Sequence, residues 1–265
     1  MNGKALRLKR LIAPQDRRLV IFPLDHGVSC GPIAGLQRME ETVRIGASGG
    51  ADALVLHKGM LRFLQPLRQP LPGIFLHLSA STQLGPTIHH KVLVATVEEA
   101  LRHGVDGVSV HINLGNDQEA EMLRDLGTVG AACALWQMPL LAMIYVRGPH
   151  VKSPLPDSAI AHAARVAAEL GADLIKIPAP RDRTILAEIA ATSPVPVVVA
   201  GGSRVDDTRA LLQHVEETMQ AGASGVAIGR NVFQHEQPKR LLGVIAAIVH
   251  QGWSASRALE QLNLT

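Results

Sequence analysis

Short apolar runs rich in valine, isoleucine and leucine recur along this chain at residues 19–25, 53–57, 74–78, 107–111, 140–145, 173–177, 196–200 and 225–229. Such unbroken apolar character suits parallel strands covered on both faces. Between most of the runs lie stretches whose apolar positions fall at helical spacing, for example 158–170 and 205–219. The alternation predicts βαβ units. Eight of them in about 250 residues predict an α/β protein with a single-domain (β/α)8 TIM barrel. The domain is expected to span residues 1–265, with a short N-terminal extension. An open doubly wound sheet is the competing architecture, but it usually uses fewer strands and a G-x-G-x-x-G after the first, which is absent here.

A phrase repeats at 49–53, 103–107, 170–174 and 221–225: a glycine (Gly50, Gly104, Gly171, Gly222), a small residue, then Asp or Ser ahead of a strand. The glycine is expected to end a helix in the left-handed conformation, marking the αβ loops at the bottom of the barrel. The third unit is irregular, with a Ser/Thr/Pro/His-rich loop over 78–92 before a helix at 96–102. Loops of this kind often carry function.

Composition narrows the classes further. The 265 residues are 47% hydrophobic but only 3% aromatic, so the core is aliphatic, and the net charge is +3. No stripe of basic and aromatic residues suggests nucleic-acid binding. The densest basic stretch, residues 4–10, is expected to be the solvated face of a short helix. Cys30 and Cys133 make no disulfide framework, and a cytoplasmic protein is expected. No apolar run is long enough to cross a membrane.

In a TIM barrel the active site is built at the C-terminal ends of the strands. Those ends carry Asp25-His26, His57-Lys58, His77, His111, Tyr145-Val146-Arg147, Lys176, Gly201-Gly202-Ser203 and Gly229-Arg230. Lys176 stands out as a lysine within an apolar strand. Burial penalises an ammonium, and the neutral amine is the form that attacks ketones; the competing reading is a lysine snorkelling to solvent. Gly201, Gly202, Gly229 and Arg230 fit the phosphate site such barrels build after strands seven and eight. A ketone beside that phosphate would lie within reach of Lys176. An iminium there would be an electron sink for breaking or making a C–C bond. Asp25 and Tyr145 are the nearest candidate proton shuttles, with a capping aspartate and a core aromatic as their competing roles.

The segments 23–32, 56–59, 96–100, 143–148, 197–202 and 229–235 resemble those of the DhnA-type class I aldolases, in unbroken order across nearly the whole chain. The branch resembled includes the 2-amino-3,7-dideoxy-D-threo-hept-6-ulosonate synthases and related enzymes making aminohydroxybenzoate precursors. The resemblance implies Lys176 as the Schiff-base lysine, Tyr145 as proton donor and Asp25 as proton acceptor. It implies Gly201, Gly202, Ser203, Gly229 and Arg230 at the phosphate, with Arg147, His26 and Lys58 lining the substrate pocket. It also implies no metal or other cofactor, and a homo-oligomer, often a decameric ring. The expected reaction joins a phosphorylated ketose or dihydroxyacetone phosphate to L-aspartate 4-semialdehyde, both small-molecule partners. Class I fructose-1,6-bisphosphate aldolase is the alternative, and Lys58, Arg147 and Arg181 are available to recognise either acceptor. A further alternative is a zinc-dependent aldolase using His57, His77 and His111. The chain departs from its relatives at 177–182, directly after the lysine, where a stiffer and more apolar rim is expected.

Overall fold

The computed structural model describes residues 3–65, 70–152 and 154–264; the rest of the expected 1–265 domain lies outside the described residues. In chain order the strands are β1 (Leu19–Pro23), β2 (Ala53–Leu56), β3 (Gly73–His77), β4 (Ser79–Ala80), β5 (Val92–Leu93), β6 (Gly107–Leu114), β7 (Leu140–Val146), β8 (Leu174–Ile177), β9 (Val197–Ala200) and β10 (Gly225–Ala227). Eight of them close into a parallel barrel in the order β1-β10-β9-β8-β7-β6-β3-β2. These eight are the eight apolar runs. The extra pair, β4 and β5, forms a small antiparallel ribbon within the irregular third unit.

The helices are α1 (Gly3–Leu11), α2 (His26–Cys30), α3 (Met39–Gly49), α4 (Val97–Arg102), α5 (Glu119–Trp136), α6 (Asp157–Glu169), α7 (Arg183–Thr192), α8 (Thr208–Gln220), α9 (Arg230–Phe233), α10 (Pro238–Gln251) and α11 (Ala255–Asn263), with a 3-10 turn at Lys58–Phe63. As the repeated phrase predicts, Gly50, Gly104, Gly171 and Gly222 all have positive φ. Among the described residues, no helix is long and apolar enough to cross a membrane.

Alternation along each strand sorts side chains into two cores. Ile175 and Ile177 of β8 pack in the layer beneath the helices. Leu174 turns inward with Leu19, Ile21, Val55, Phe75, Leu141, Met143 and Val198. Lys176 has Leu174's parity, so it projects inward as well.

The basic stretch at 4–10 does form a helix, α1, but its charges are not simply solvated. Leu11 enters the inner cluster, with Leu8 and Ile12 packed against it, so α1 seals one end of the barrel. Gly73 makes room for this, since a Cβ there would collide with the Arg10 carbonyl. Lys4 Nζ pairs with Asp173 at 2.9 Å and Arg10 Nε with Asp106 at 2.6 Å. These two aspartates and Asp52 clamp strand entrances: Asp173 accepts from the Leu140 N–H (2.9 Å), Asp106 from Ile74 (3.0 Å) and Asp52 from Val20 (2.6 Å). The aspartate of the repeated phrase thereby satisfies a backbone donor that the barrel would otherwise bury unpaired.

Asp52 has a histidine for its cation. His250 of α10 holds Asp52 at 3.0 Å and Asp16 at 2.7 Å, with its side chain 17% exposed. The hydrogen bond to Asp52, joined by that to Asp16, pushes the imidazole up to about 9 against the cost of burial. A folded pKa above the unfolded value of about 6.5 gives stabilisation that is complete below pH 6.5 and lost as the pH rises to about 9. The loss is on the order of 3 kcal/mol. Thermal unfolding followed from pH 6 to 10 should therefore show a falling alkaline limb, and His250→Gln should flatten it. An unchanged slope in the variant would remove His250 as its source.

Candidate active site

Lys176 lies on β8 in register with Met143 of β7 and Val198 of β9, at 7% exposure. It does not snorkel. Its Nζ has the Met143 sulfur at 4.0 Å, a weak acceptor, and it forms no ion pair among the described residues. The amine is thus held inside the barrel with its bonding capacity largely unspent.

Asp25 follows β1 and occupies the N-cap position of α2, yet its side chain makes no capping hydrogen bond. The carboxylate faces inward, 3.7 Å from His77 Nε2 and 3.7 Å from His26 Nδ1. Burial opposes its charge, but the combined fields of His77, His26, Lys176 and His57 outweigh that and hold the carboxyl well below its usual range. Burial also lowers the three histidines, His77 to about 3. Lowered from about 6.5, they are uncharged at neutral pH. His77 is fixed by a 2.8 Å hydrogen bond between its Nδ1 and Ser109 Oγ.

Tyr145 lies on β7 two residues beyond Met143 and so has the same inward parity, at 8% exposure. Its ring packs against His111, centroids 4.9 Å apart, and carries the Arg147 guanidinium 4.1 Å above its centre. Asn113, in register with Tyr145, donates to the His89 carbonyl (2.7 Å), leaving its Oδ1 to accept from His111 Nε2 (3.1 Å). Burial holds His111 well below its ordinary value, hence neutral.

The glycine corner closes the other side. Gly201 packs against Ile228, where a Cβ would come within 2.9 Å, and Gly202 takes a positive φ of 69°. Gly229 lies so close to β1 that a Cβ would meet His26 at 2.7 Å and the Pro23 carbonyl at 2.8 Å. Arg230 reaches across to the Gly202 carbonyl at 3.2 Å, while its buried Nε has no protein partner. Asn231, 6% exposed, binds the Gly201 and Ser203 carbonyls and accepts from Val205 N–H at 2.8 Å. It pins the β9 loop, including the exposed Ser203, to the start of α9.

The sequence profile of the DeoC/LacD family aldolases matches residues 19–235. The chain belongs to this aldolase family. Its chemistry is the making or breaking of carbon–carbon bonds through a lysine Schiff base. A Streptomyces griseus protein, 2-amino-4,5-dihydroxy-6-oxo-7-(phosphonooxy)heptanoate synthase, is 43% identical over 97% of this chain and 93% of its own length. The 2-amino-3,7-dideoxy-D-threo-hept-6-ulosonate synthase of Halobacterium salinarum is 39% identical over 99% and 97%. A Schiff-base-forming fructose-1,6-bisphosphate aldolase superposes with a TM-score of 0.85 at 27% identity, covering 94% of this chain and all of that one.

Not every residue singled out from the aldolase's sequence joins the cluster. Lys58 is spent on Glu99 of α4, at 3.2 Å with 45% of its side chain exposed, and lies apart from it. Arg181 turns to the Leu155 carbonyl (2.8 Å) and Asp157, away from an acceptor-binding role. In the rim at 177–182, Asp182 caps α7 by accepting from the Thr184 N–H and donates its own N–H to Asp157 Oδ2. His57 and His77 do meet, edge to face with centroids 5.1 Å apart, but His111 is turned to Asn113. Among the described residues no three His, Cys, Asp or Glu side chains are placed to hold a metal ion, which disfavours the zinc reading. Two residues the motif reading did not select now belong with the site, Asn231 and Lys91. Asn231 follows the chosen Gly229-Arg230, and Lys91 lies in the irregular 78–92 loop, whose composition suggested function without singling out a residue.

Proposed function

We propose that this aldolase condenses a phosphorylated ketose, with dihydroxyacetone phosphate the foremost candidate, with L-aspartate 4-semialdehyde. The observation that carries this is the inward-facing Lys176 on β8, with the Gly201–Gly202–Arg230 corner of β9 and β10 on one flank, Tyr145 of β7 on the other, and Asp25 at the end of β1 close enough to interact with it. The product name of the S. griseus relative supplies the substrates by its own chemistry. A ketone at C6 and a hydroxyl at C4 mark the C4–C5 bond as the aldol bond. Cutting it leaves dihydroxyacetone phosphate as C5–C7 and aspartate 4-semialdehyde as C1–C4. The H. salinarum relative's product is deoxygenated at C7, so its three-carbon unit is not dihydroxyacetone phosphate, and another ketose donor remains the second candidate.

In this reading Gly201, Gly202, Ser203, Gly229 and Arg230 hold the donor phosphate, whose oxygens give the orphaned Arg230 Nε its acceptor. His26 and Arg147 line the pocket. Neutral Lys176 adds to the ketone carbon, and the carbonyl oxygen takes a proton to give a carbinolamine. Loss of that oxygen as water leaves the iminium. Asp25 removes the α-proton, the electron pair becoming an enamine. The enamine carbon attacks the aldehyde, Tyr145 protonates the new alkoxide, and water releases product and Lys176. No metal or other cofactor enters any step, and the reading keeps a cytoplasmic homo-oligomer.

Fructose-1,6-bisphosphate cleavage uses the same imine, and the superposed structure favours it as the second reading. The two differ in the far end of the acceptor, a carboxylate and ammonium in one and a second phosphate in the other. The test is to trap each candidate donor with borohydride, then offer the untrapped enzyme each donor with aspartate semialdehyde or with glyceraldehyde 3-phosphate. A seven-carbon amino acid product from the first acceptor is expected. Product from glyceraldehyde 3-phosphate alone would replace this reading by the second.

A further inference from the structure

The irregular third unit is a braced platform. Its ribbon pairs Ser79 with Leu93 and Ala80 with Val92. Ser79 Oγ accepts from the His111 N–H at 2.9 Å, and Asn113 holds the His89 carbonyl, fastening both limbs to β6. On the opposite flank, Ser29 Oγ of α2 donates to the Ser81 carbonyl at 3.0 Å. Lys91 is carried between these anchors. Its ammonium donates to Ser81 Oγ at 2.5 Å, and Ser81 Oγ in turn donates to the Ile88 carbonyl at 2.7 Å. Unlike Lys58, it has no carboxylate within ion-pair distance among the described residues, although it is only partly exposed. A half-buried cation on one neutral hydrogen bond is an incomplete anion site.

Its surroundings place it at the barrel mouth. Burial lowers Lys91 below its ordinary range, with Asp25 opposing and Arg147 adding to the shift. Its charge is felt by His57, His77, His89 and His111. Four basic side chains, Lys91, Arg147, Lys176 and Arg230, are gathered around Asp25 and its histidines. Arg230 stands on the β9–β10 side of Lys176, whereas Lys91 and Arg147 stand on the β6–β7 side. A donor anchored by its phosphate at Arg230, with its ketone on Lys176, extends its new bond toward β6 and β7.

We propose that Lys91 is a specificity-determining residue whose ammonium binds the carboxylate of the aldehyde acceptor, held in place by Ser81 and assisted by Arg147. This rests on the function proposed above. Lys91→Met and Lys91→Arg are compared by acceptor KM, kcat and borohydride trapping of the donor. The acceptors are aspartate semialdehyde, glyceraldehyde 3-phosphate and uncharged butanal. In Lys91→Met, KM for aspartate semialdehyde should rise about thirtyfold, the worth of a charge-assisted hydrogen bond. Trapping on Lys176, which needs no acceptor, should persist and will show that the barrel is intact. The preference for aspartate semialdehyde over butanal should collapse, and arginine should restore part of it. An unchanged acceptor KM with trapping intact overturns the proposal, as does loss of trapping, which would tie Lys91 to the donor. Wild-type enzyme that traps donors but accepts only glyceraldehyde 3-phosphate overturns the functional reading, and the carboxylate assignment with it.

Discussion

Replacing Lys176 by alanine is expected to abolish both the borohydride-trapped adduct and turnover, lowering kcat/KM by roughly 10⁴-fold or more, the scale on which enzymes lose activity with their nucleophile. The barrel offers no substitute at that point, since β8 supplies only Leu174 below Lys176, and Ile175 and Ile177 face the helix layer. The change also alters the electrostatics left behind. Asp25 loses one of the positive charges that hold its carboxyl low, and His77 loses one that keeps its imidazole low. A neutral methionine at 176 repeats both effects without the cavity that alanine leaves, so the pair separates lost chemistry from lost packing. Intact-mass and peptide analysis after reduction is the measurement, with thermal unfolding as the check on folding. An adduct surviving in Lys176→Ala would overturn the assignment, and Lys91, the other lysine held at the mouth, is where to look for it.

The barrel was legible because its strands are covered on both faces, so their sequences are almost wholly apolar, Lys176 in β8 being a conspicuous exception, and stand out from the amphipathic helices between them. The left-handed glycines were equally legible, because a positive φ leaves few alternatives to glycine. What the pattern concealed was the partnership of charges distant in sequence. Nothing near Asp173 announces Lys4, and nothing near Asp52 announces His250, since both pairings exist only once the barrel has closed. The same reason explains why the pattern could not tell the partners of two lysines at the rim. Lys58 and Lys91 each lie near a strand end of the first half-barrel, and only the fold shows that Glu99 consumes the first while the second is left without a carboxylate. Asp25 shows how far a local rule reaches. Its N-cap position was readable, but its side chain makes no capping hydrogen bond and instead lies 3.7 Å from His77 and from His26, partners that only the closed barrel brings to it.

Tyr145→Phe should separate the stages of the reaction. The phenyl ring can keep the packing against His111 and the platform under Arg147, so stability should change by no more than about 1 kcal/mol, the typical net worth of one hydrogen bond. Loss of the hydroxyl removes the proton donor, for which a fall in kcat of about 10²- to 10³-fold is expected. Imine formation involves Lys176 and the donor ketone, so the trapped adduct should remain, and at steady state a larger fraction of the enzyme should carry it because a later step has become slow. Single-turnover mixing with acceptor, quenched by borohydride, measures that fraction directly. If adduct and turnover fall together, the hydroxyl instead serves carbinolamine dehydration, and the proton for the new alkoxide must come from elsewhere. If neither changes, Tyr145 is a core aromatic. The geometry argues against that last outcome, because Tyr145 stands on the inward face of β7 two residues beyond Met143, the register partner of Lys176, with the Arg147 guanidinium over its ring.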